Sequence, residues 1–225
     1  MNDALIDELR LRADRLSAQA MDVMFKRPFW LERFGEHGRK NSYQDSSFHM
    51  AYLLEALTSD EPEVIRRYAT WLRGLLNSHG MCTRHLDDNF EQLQAVISRE
   101  VASASAAVSM LQEGRNALVY AEGPGRALQL AAPALVRAVL ASATSLDADD
   151  VADHLSYLAD AAELRHTERL VKYVQFMQGA FARRGAAGRE RELLQAIAAA
   201  LETAAPETRE AAAKVLAAAL AEVTP

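Results

Sequence analysis

The stretch "YQDSSFHMAYLLEAL", residues 43–57, returns in altered form as "LDADDVADHLSYLADAA", residues 146–162. Asp45, His49, Tyr52 and Leu53 become Asp150, His154, Tyr157 and Leu158, each 105 positions later. The same shift carries Pro28 onto Pro133, Glu63 onto Glu168, Tyr68 onto Tyr173, Gly74 onto Gly179, Gly80 onto Gly185 and Leu111 onto Leu216, and it sets Trp71 against Phe176. One ungapped register over most of the chain is the signature of internal duplication, and it constrains the fold more than any other feature: whatever one half forms, the other must form too. Two helical repeats follow as the expectation, residues 1–118 and 119–225.

Helix is the expected element throughout. Only 10 of the 225 residues are Gly and half are apolar, alanine foremost. That composition favours helix over strand. Residues 3–25 place Leu5, Leu9, Leu16, Ala20 and Met24 on one face. Pro28 suits the first turn of a short helix carrying Phe29, Trp30, Leu31 and Phe34, closed by "GEHG". Ser42 or Asp45 is expected to cap the next helix, to about Leu57, and Asp150 to play the same part in the second repeat. Ser59 or Asp60 is expected to cap a helix presenting Val64, Ile65, Tyr68, Leu72, Leu75 and Leu76, which Gly80 ends. A helix with Leu86, Phe90, Leu93 and Ile97 follows, then one over about 102–118. "EGPGRAL", residues 122–128, has no preceding strand and no Lys-Ser/Thr after it, so it predicts a linker between the repeats and not a phosphate loop. The basic "ARRGAAGRERE" predicts a solvated helix junction.

Composition also bounds the function. The net charge of −6 with mixed signs offers no basic footprint for nucleic acid. No apolar run is long enough to span a membrane, and the charged N-terminus lacks a signal-peptide core. The lone Cys82 cannot form an internal disulfide, which suits a reducing cytoplasm. No nucleophile elbow, phosphate-cradling loop or HExxH motif is present, so the chain is expected not to be an enzyme.

The halves differ in content. Ten aromatic residues (Phe25, Phe29, Trp30, Phe34, Tyr43, Phe48, Tyr52, Tyr68, Trp71 and Phe90) fall in the first and five in the second. A pocket for a planar ligand would therefore sit in the first half, where rings offer area and stacking. The alternative is a bulkier core. His49 and His154, one turn after their aspartates, are candidates for a metal or haem, or else for a bond to a neighbouring helix.

Residues 42–81, "SYQDSSFHMAYLLEALTSDEPEVIRRYATWLRGLLNSHGM", resemble the phycobiliprotein family. Asp45 stands on that motif's aspartate, Phe48 and Tyr52 on its aromatic positions, Asp60 near its Gly-Asp turn, and "LLNSHGM" where it carries "SLGVP". The resemblance implies globin-like, phycobiliprotein-like helical units and a bilin, with the Asp45 carboxylate accepting from the pyrrole nitrogens. Ser42 occupies the attachment cysteine's position and Asp147 its repeat counterpart, so no covalent bilin is expected, and Cys82 does not match that position. Gln44 replaces the motif arginine, with Arg39 and Lys40 close by. The implied function is non-enzymatic tetrapyrrole binding, sensing or assistance to bilin metabolism, with Asp45, His49, Tyr52, Arg39, Trp71 and Phe48 as cofactor-binding residues and haem, through His49 or His79, as the other cofactor. The competing expectation is a ligand-free helical interaction or regulatory module that self-associates or binds a protein partner, with the apolar stripe of residues 3–25 as its contact.

Overall fold

The computed structural model describes residues 3–223, and among them every regular element is an α-helix. In chain order these are α1 (Asp3–Met24), α2 (Pro28–Ser59), α3 (Pro62–Ser78), α4 (Thr83–Glu100), α5 (Ser105–Ala117), α6 (Gly123–Ser142), α7 (Ala148–Leu164), α8 (Glu168–Arg183), α9 (Arg189–Glu202) and α10 (Pro206–Val223). None is long and apolar enough to cross a membrane. The chain divides into two compact units: residues 1–75 with 85–118, and residues 119–225 with the short segment 76–84.

The first unit is built on the apolar stripes read from the sequence. Leu9, Leu16 and Ala20 of α1, Leu53 and Ala56 of α2, Ile65 and Ala69 of α3, Phe90, Leu93 and Ile97 of α4, and Ala107 and Leu111 of α5 are all fully enclosed. Removing side chains of this size from water stabilises by about 1.5–3 kcal/mol each for the larger ones. Residues at spacings of three and four share a helix face, which is why these positions converge. The α1 stripe expected to serve assembly is consumed here: Leu5, Ile6, Leu9, Leu16, Ala20, Met21 and Met24 are buried, leaving Leu11 as that helix's large exposed apolar residue. At its edges Arg12 donates to the Glu100 carbonyl (2.7 Å), and Arg115 grips both oxygens of Asp87 (2.7 and 3.0 Å).

Several expected boundaries are corrected. "GEHG" breaks the helix at its first residue, but no separate connection follows. Gly35 takes φ 64°, ψ −174°, a conformation open to glycine, and helical structure resumes directly beyond it. The chain therefore reaches Ser42 and Asp45 already helical, and neither can cap: the Ser42 hydroxyl donates back to the Gly38 carbonyl (2.9 Å). In α7 the cap is Asp147, whose carboxylate accepts from the backbone N–H of Asp149 (2.8 Å) and Asp150 (3.3 Å); Asp150 itself lies inside the helix. Asp60 ends α2 in the left-handed conformation (φ 55°) instead of starting α3. Residues 123–128 form the first turns of α6, with Pro124 where its missing N–H costs nothing, so the expected linker is helix.

In the second unit Val139, Val151, Tyr173, Val174, Met177, Ala180, Leu193 and Ala219 are fully enclosed. Gly125 permits a close approach: a Cβ there would stand 2.7 Å from both the Glu163 Cβ and the Tyr120 ring. Its N–H donates to the Glu163 carboxylate (2.9 Å), which supplies the acid that the α6 N-terminus favours.

Candidate functional site

Tyr52 of α2 lies flat on Tyr68 of α3, ring centroids 3.9 Å apart and planes 16° from parallel. Tyr157 of α7 lies on Tyr173 of α8 at 3.9 Å and 15°. The ends of the preceding helices match as closely. Asp60 and Arg165 both take φ 55°, and the next residue's N–H, of Glu61 or His166, reaches back to the carbonyl of Ala56 or Ala161 (3.1 and 3.0 Å). Each of these pairs is separated by 105 residues.

Around the stacked rings the chemistry diverges. His49 is buried, its Nδ1 2.7 Å from the Tyr68 hydroxyl and its ring edge-on to Phe90. No charge faces it to offset burial, which pushes its pKa down to about 3 and raises Tyr68 well above the usual phenol range. The imidazole is therefore neutral. His154 is also buried, with Nδ1 2.6 Å from the Asp150 carbonyl and Nε2 2.7 Å from the buried Glu190 carboxylate. Since a carbonyl only accepts, Nδ1 carries a proton. Burial pulls its pKa down, but the Glu190 charge and hydrogen bond and the Asp150 carbonyl outweigh it, so the net direction is upward.

The second unit's α7 face is polar and occupied. Segment 76–84, the elbow that ends α3 and begins α4, lies on it. Asp160, fully buried, accepts from the Thr83 backbone N–H (2.7 Å), the Thr83 hydroxyl (2.6 Å) and the Tyr120 hydroxyl (2.8 Å). It thus caps the first turn of α4 from another helix. Burial raises the Asp160 pKa, opposed by those same donors. Arg84 spans Asp153 (2.5 Å) and Asp149 (2.6 Å), and its backbone N–H donates to the Ser156 hydroxyl (3.0 Å). Tyr157 donates to the Gly80 carbonyl (2.7 Å), and Arg169 to the Met81 carbonyl (3.1 Å).

Counting back 105 residues, the first unit's face replaces Asp149, Asp153, Ser156, Asp160 and Arg169 by Gln44, Phe48, Ala51, Glu55 and Val64. Phe48 is 51% exposed and Trp71 60% exposed. Between α2 and α3 runs an open groove of about 260 Å³ lined by Tyr52, Glu55, Val64, Arg67, Tyr68 and Trp71.

Of the residues singled out in the sequence, Tyr52 and Trp71 line this groove, and Phe48 stands one turn before Tyr52 on the same helix face. His49 points into the core beneath it. Asp45 is exposed overall, although its neighbours shield the carboxyl enough to raise its pKa; it does not line the groove. Arg39 lies over the rings of Phe25 (5.7 Å) and Tyr43 (6.0 Å), a separate cluster in which Tyr43 bonds Asp22. The residues that sequence reasoning passed over are Asp149, Asp153 and Asp160. Their spacings of four and seven put them on one face of α7, a signal available in the sequence.

Comparisons with protein-family models, with curated proteins and with solved structures find no match for this chain.

Proposed function

We propose that the chain is a tandem duplication of one helical unit serving as a protein-interaction module, and that its first unit receives a helical segment of a protein on the Phe48–Tyr52–Trp71 face. The observation that carries this is the contrast between two register-matched faces. The same Tyr-on-Tyr platform underlies both, yet one is covered by a helix elbow while the other presents rings to solvent. An exposed cluster of large rings beside a groove is the composition of an interface centre.

The tetrapyrrole alternative fits the geometry less well. Sites that enclose small ligands run to about 300–1,000 Å³. The groove's volume is smaller, it is open, and the Asp45 carboxylate on which a bilin would rest is not among its walls. The globin-like assignment rests on the sequence resemblance alone.

Trp71 makes the test direct. In a Trp30→Phe chain it is the sole tryptophan and reports on the groove. Titration with a crosslinked helix–turn–helix peptide of residues 70–92 carrying Trp71→Phe, which holds the elbow that covers the second unit's face and has no tryptophan of its own, is expected to give a saturable blue shift of the chain's Trp71, abolished by Phe48→Ser. An absorbance change with biliverdin, phycocyanobilin or haem, together with no response to the peptide, would reverse the proposal in favour of tetrapyrrole binding.

A further inference from the structure

The elbow that fills the second unit's face has its own counterpart. Advancing residues 76–84 by 105 gives 181–189, "FARRGAAGR", the junction of α8 and α9. The two elbows begin alike and diverge only at Gly188, which takes φ 89° where its counterpart Thr83 is already helical. Gly80 and Gly185 have φ 79° and 74°, and the residue after each returns its N–H to a helix carbonyl, Met81 to Leu76 (3.1 Å) and Ala186 to Phe181 (2.8 Å). That is the 6→1 bond of a helix-ending Schellman turn, which fixes the direction in which the next helix leaves. In the second elbow Arg183, Gly185, Ala187 and Gly188 are exposed.

The chain thus contains two elbows and two faces, with one elbow seated on one face. We infer that the remaining pair meets between molecules: the 181–189 elbow of one copy docks on the Phe48–Tyr52–Trp71 face of the next, giving head-to-tail self-association. This rests on the interaction-module proposal and names its partner as a second copy of this chain.

The register assigns the contacts, and their chemistry is compatible. The Tyr52 hydroxyl takes the place of Tyr157 and donates to the Gly185 carbonyl, as Tyr157 does to Gly80 (2.7 Å). Glu55, one methylene longer, takes the place of Asp160 and accepts the backbone N–H of Gly188, the sequence counterpart of Thr83. Arg189, whose guanidinium donates to the Ser145 carbonyl in the single chain, exchanges that bond on docking to take the place of Arg84. Where Arg84 meets Asp153 (2.5 Å), Arg189 meets the Phe48 ring, and a guanidinium stacks on an aromatic face. Ala186 and Ala187 stand where Met81 and Cys82 do, and these smaller side chains leave room for Trp71 in place of Phe176. Because elbow and face are different surfaces, the contact is heterologous. It adds copies in one direction, closing into a ring only if the rotation permits.

Sedimentation velocity of the full chain from micromolar to hundreds of micromolar, alongside two variants, tests this. One variant loses the face (Phe48→Ser with Trp71→Ser); the other loses the elbow (Ala187→Glu with Arg189→Glu). Circular dichroism confirms that each keeps its helices. The native chain is expected to grow in mass with concentration, while each variant associates at least tenfold more weakly. An equimolar mixture of the variants is expected to form a dimer and nothing larger, since it offers one intact elbow and one intact face. A native chain that stays monomeric, a variant that associates like the native chain, or a mixture that stays monomeric overturns the inference. A monomeric chain whose Trp71 still responds to the 70–92 peptide removes self-association and leaves the docking face standing; loss of both responses removes the two together.

Discussion

Acid should loosen the first unit through His49. In the fold this imidazole is fully enclosed and titrates near pH 3, against an ordinary value of 6.5. A group whose folded pKa is depressed contributes stability that is whole above the unfolded pKa and is lost as pH falls toward the folded one. The window is therefore pH 6.5 down to 3. Each pH unit within it costs about 1.4 kcal/mol for one proton, so lowering the pH from 7 to 5 should destabilise the first unit by about 2 kcal/mol. The assay is urea unfolding followed by tryptophan emission. Trp30 and Trp71 both lie in the first unit, so emission reports that unit while far-ultraviolet circular dichroism reports both. His49→Gln removes the titrating group and should flatten the slope between pH 7 and 5, whatever it does to absolute stability. His154 works in the opposite sense. Its folded pKa is raised, so its contribution is whole below the unfolded value of 6.5 and is lost as pH rises through the folded one. Equal pH slopes for the native chain and His49→Gln would refute the reasoning, because the buried neutral imidazole would then not be the linked group.

Two further outcomes follow from the second unit. Asp160→Asn sets an amide nitrogen against donors and leaves the Thr83 N–H unsatisfied; it should cost about 2–4 kcal/mol. The loss should register in the dichroism-detected unfolding of the second unit, and a loss below about 0.5 kcal/mol, the scale of an ordinary surface substitution, would show that Asp160 does not hold the elbow. Gly125→Ala forces a methyl to within 2.7 Å of the Glu163 Cβ and the Tyr120 ring, and overpacking of that kind costs about 1–3 kcal/mol. An Ala variant at least as stable as the native chain by urea unfolding would contradict the tight approach at that residue.

The helices were legible because burial is periodic. Ile65, Tyr68 and Leu72, all buried, recur at the spacings that bring side chains to one face of α3, and Gly80, where that helix was expected to end, takes the left-handed conformation. Helix starts were less legible, since Ser and Asp favour caps yet also sit inside helices. Whether Ser42 caps depends on what Gly35 does seven residues earlier, and a glycine's dihedral angles leave no trace in the neighbouring composition. At the site, Phe48, Tyr52 and Trp71, offered by the sequence as cofactor-binding residues, stand at one groove and the helix face beside it, because residues at helical spacing share a direction. Arg39 was grouped with them by sequence proximity alone, and the Gly35 break lies between it and Pro28, in a region where no periodic argument holds. The helix face of Asp160 could be read from its spacing, but its role could not, for a different reason. Its donors come from Thr83, 77 residues away, and a carboxylate on an amphipathic helix looks solvent-facing until the segment that covers it is placed.

The replacement of Asp153, Ser156 and Arg169 by Phe48, Ala51 and Val64 fits the proposed difference between holding one's own segment and catching another molecule's. Residues 76–84 are tethered to the face they cover, so their effective concentration is high and little net affinity is needed. Buried carboxylates such as Asp153 and Asp160 serve there. Their desolvation offsets most of what the ion pairs contribute, but each fixes one geometry and rejects others. A partner arriving from solution must also overcome the loss of translational and rotational freedom, estimated at about 4–15 kcal/mol, which a half-compensated polar network does not supply. Apolar area does, at about 25 cal/mol per Å² removed from water, and aromatic rings bring it with few rotors to immobilise. Phe48 in place of Asp153 and Val64 in place of Arg169 are changes of this kind, and both leave the tyrosine platform beneath unaltered. Had the first face merely lost its function, polar or small residues would serve as well at Phe48 and Trp71, since rings left in water give the fold nothing and invite aggregation.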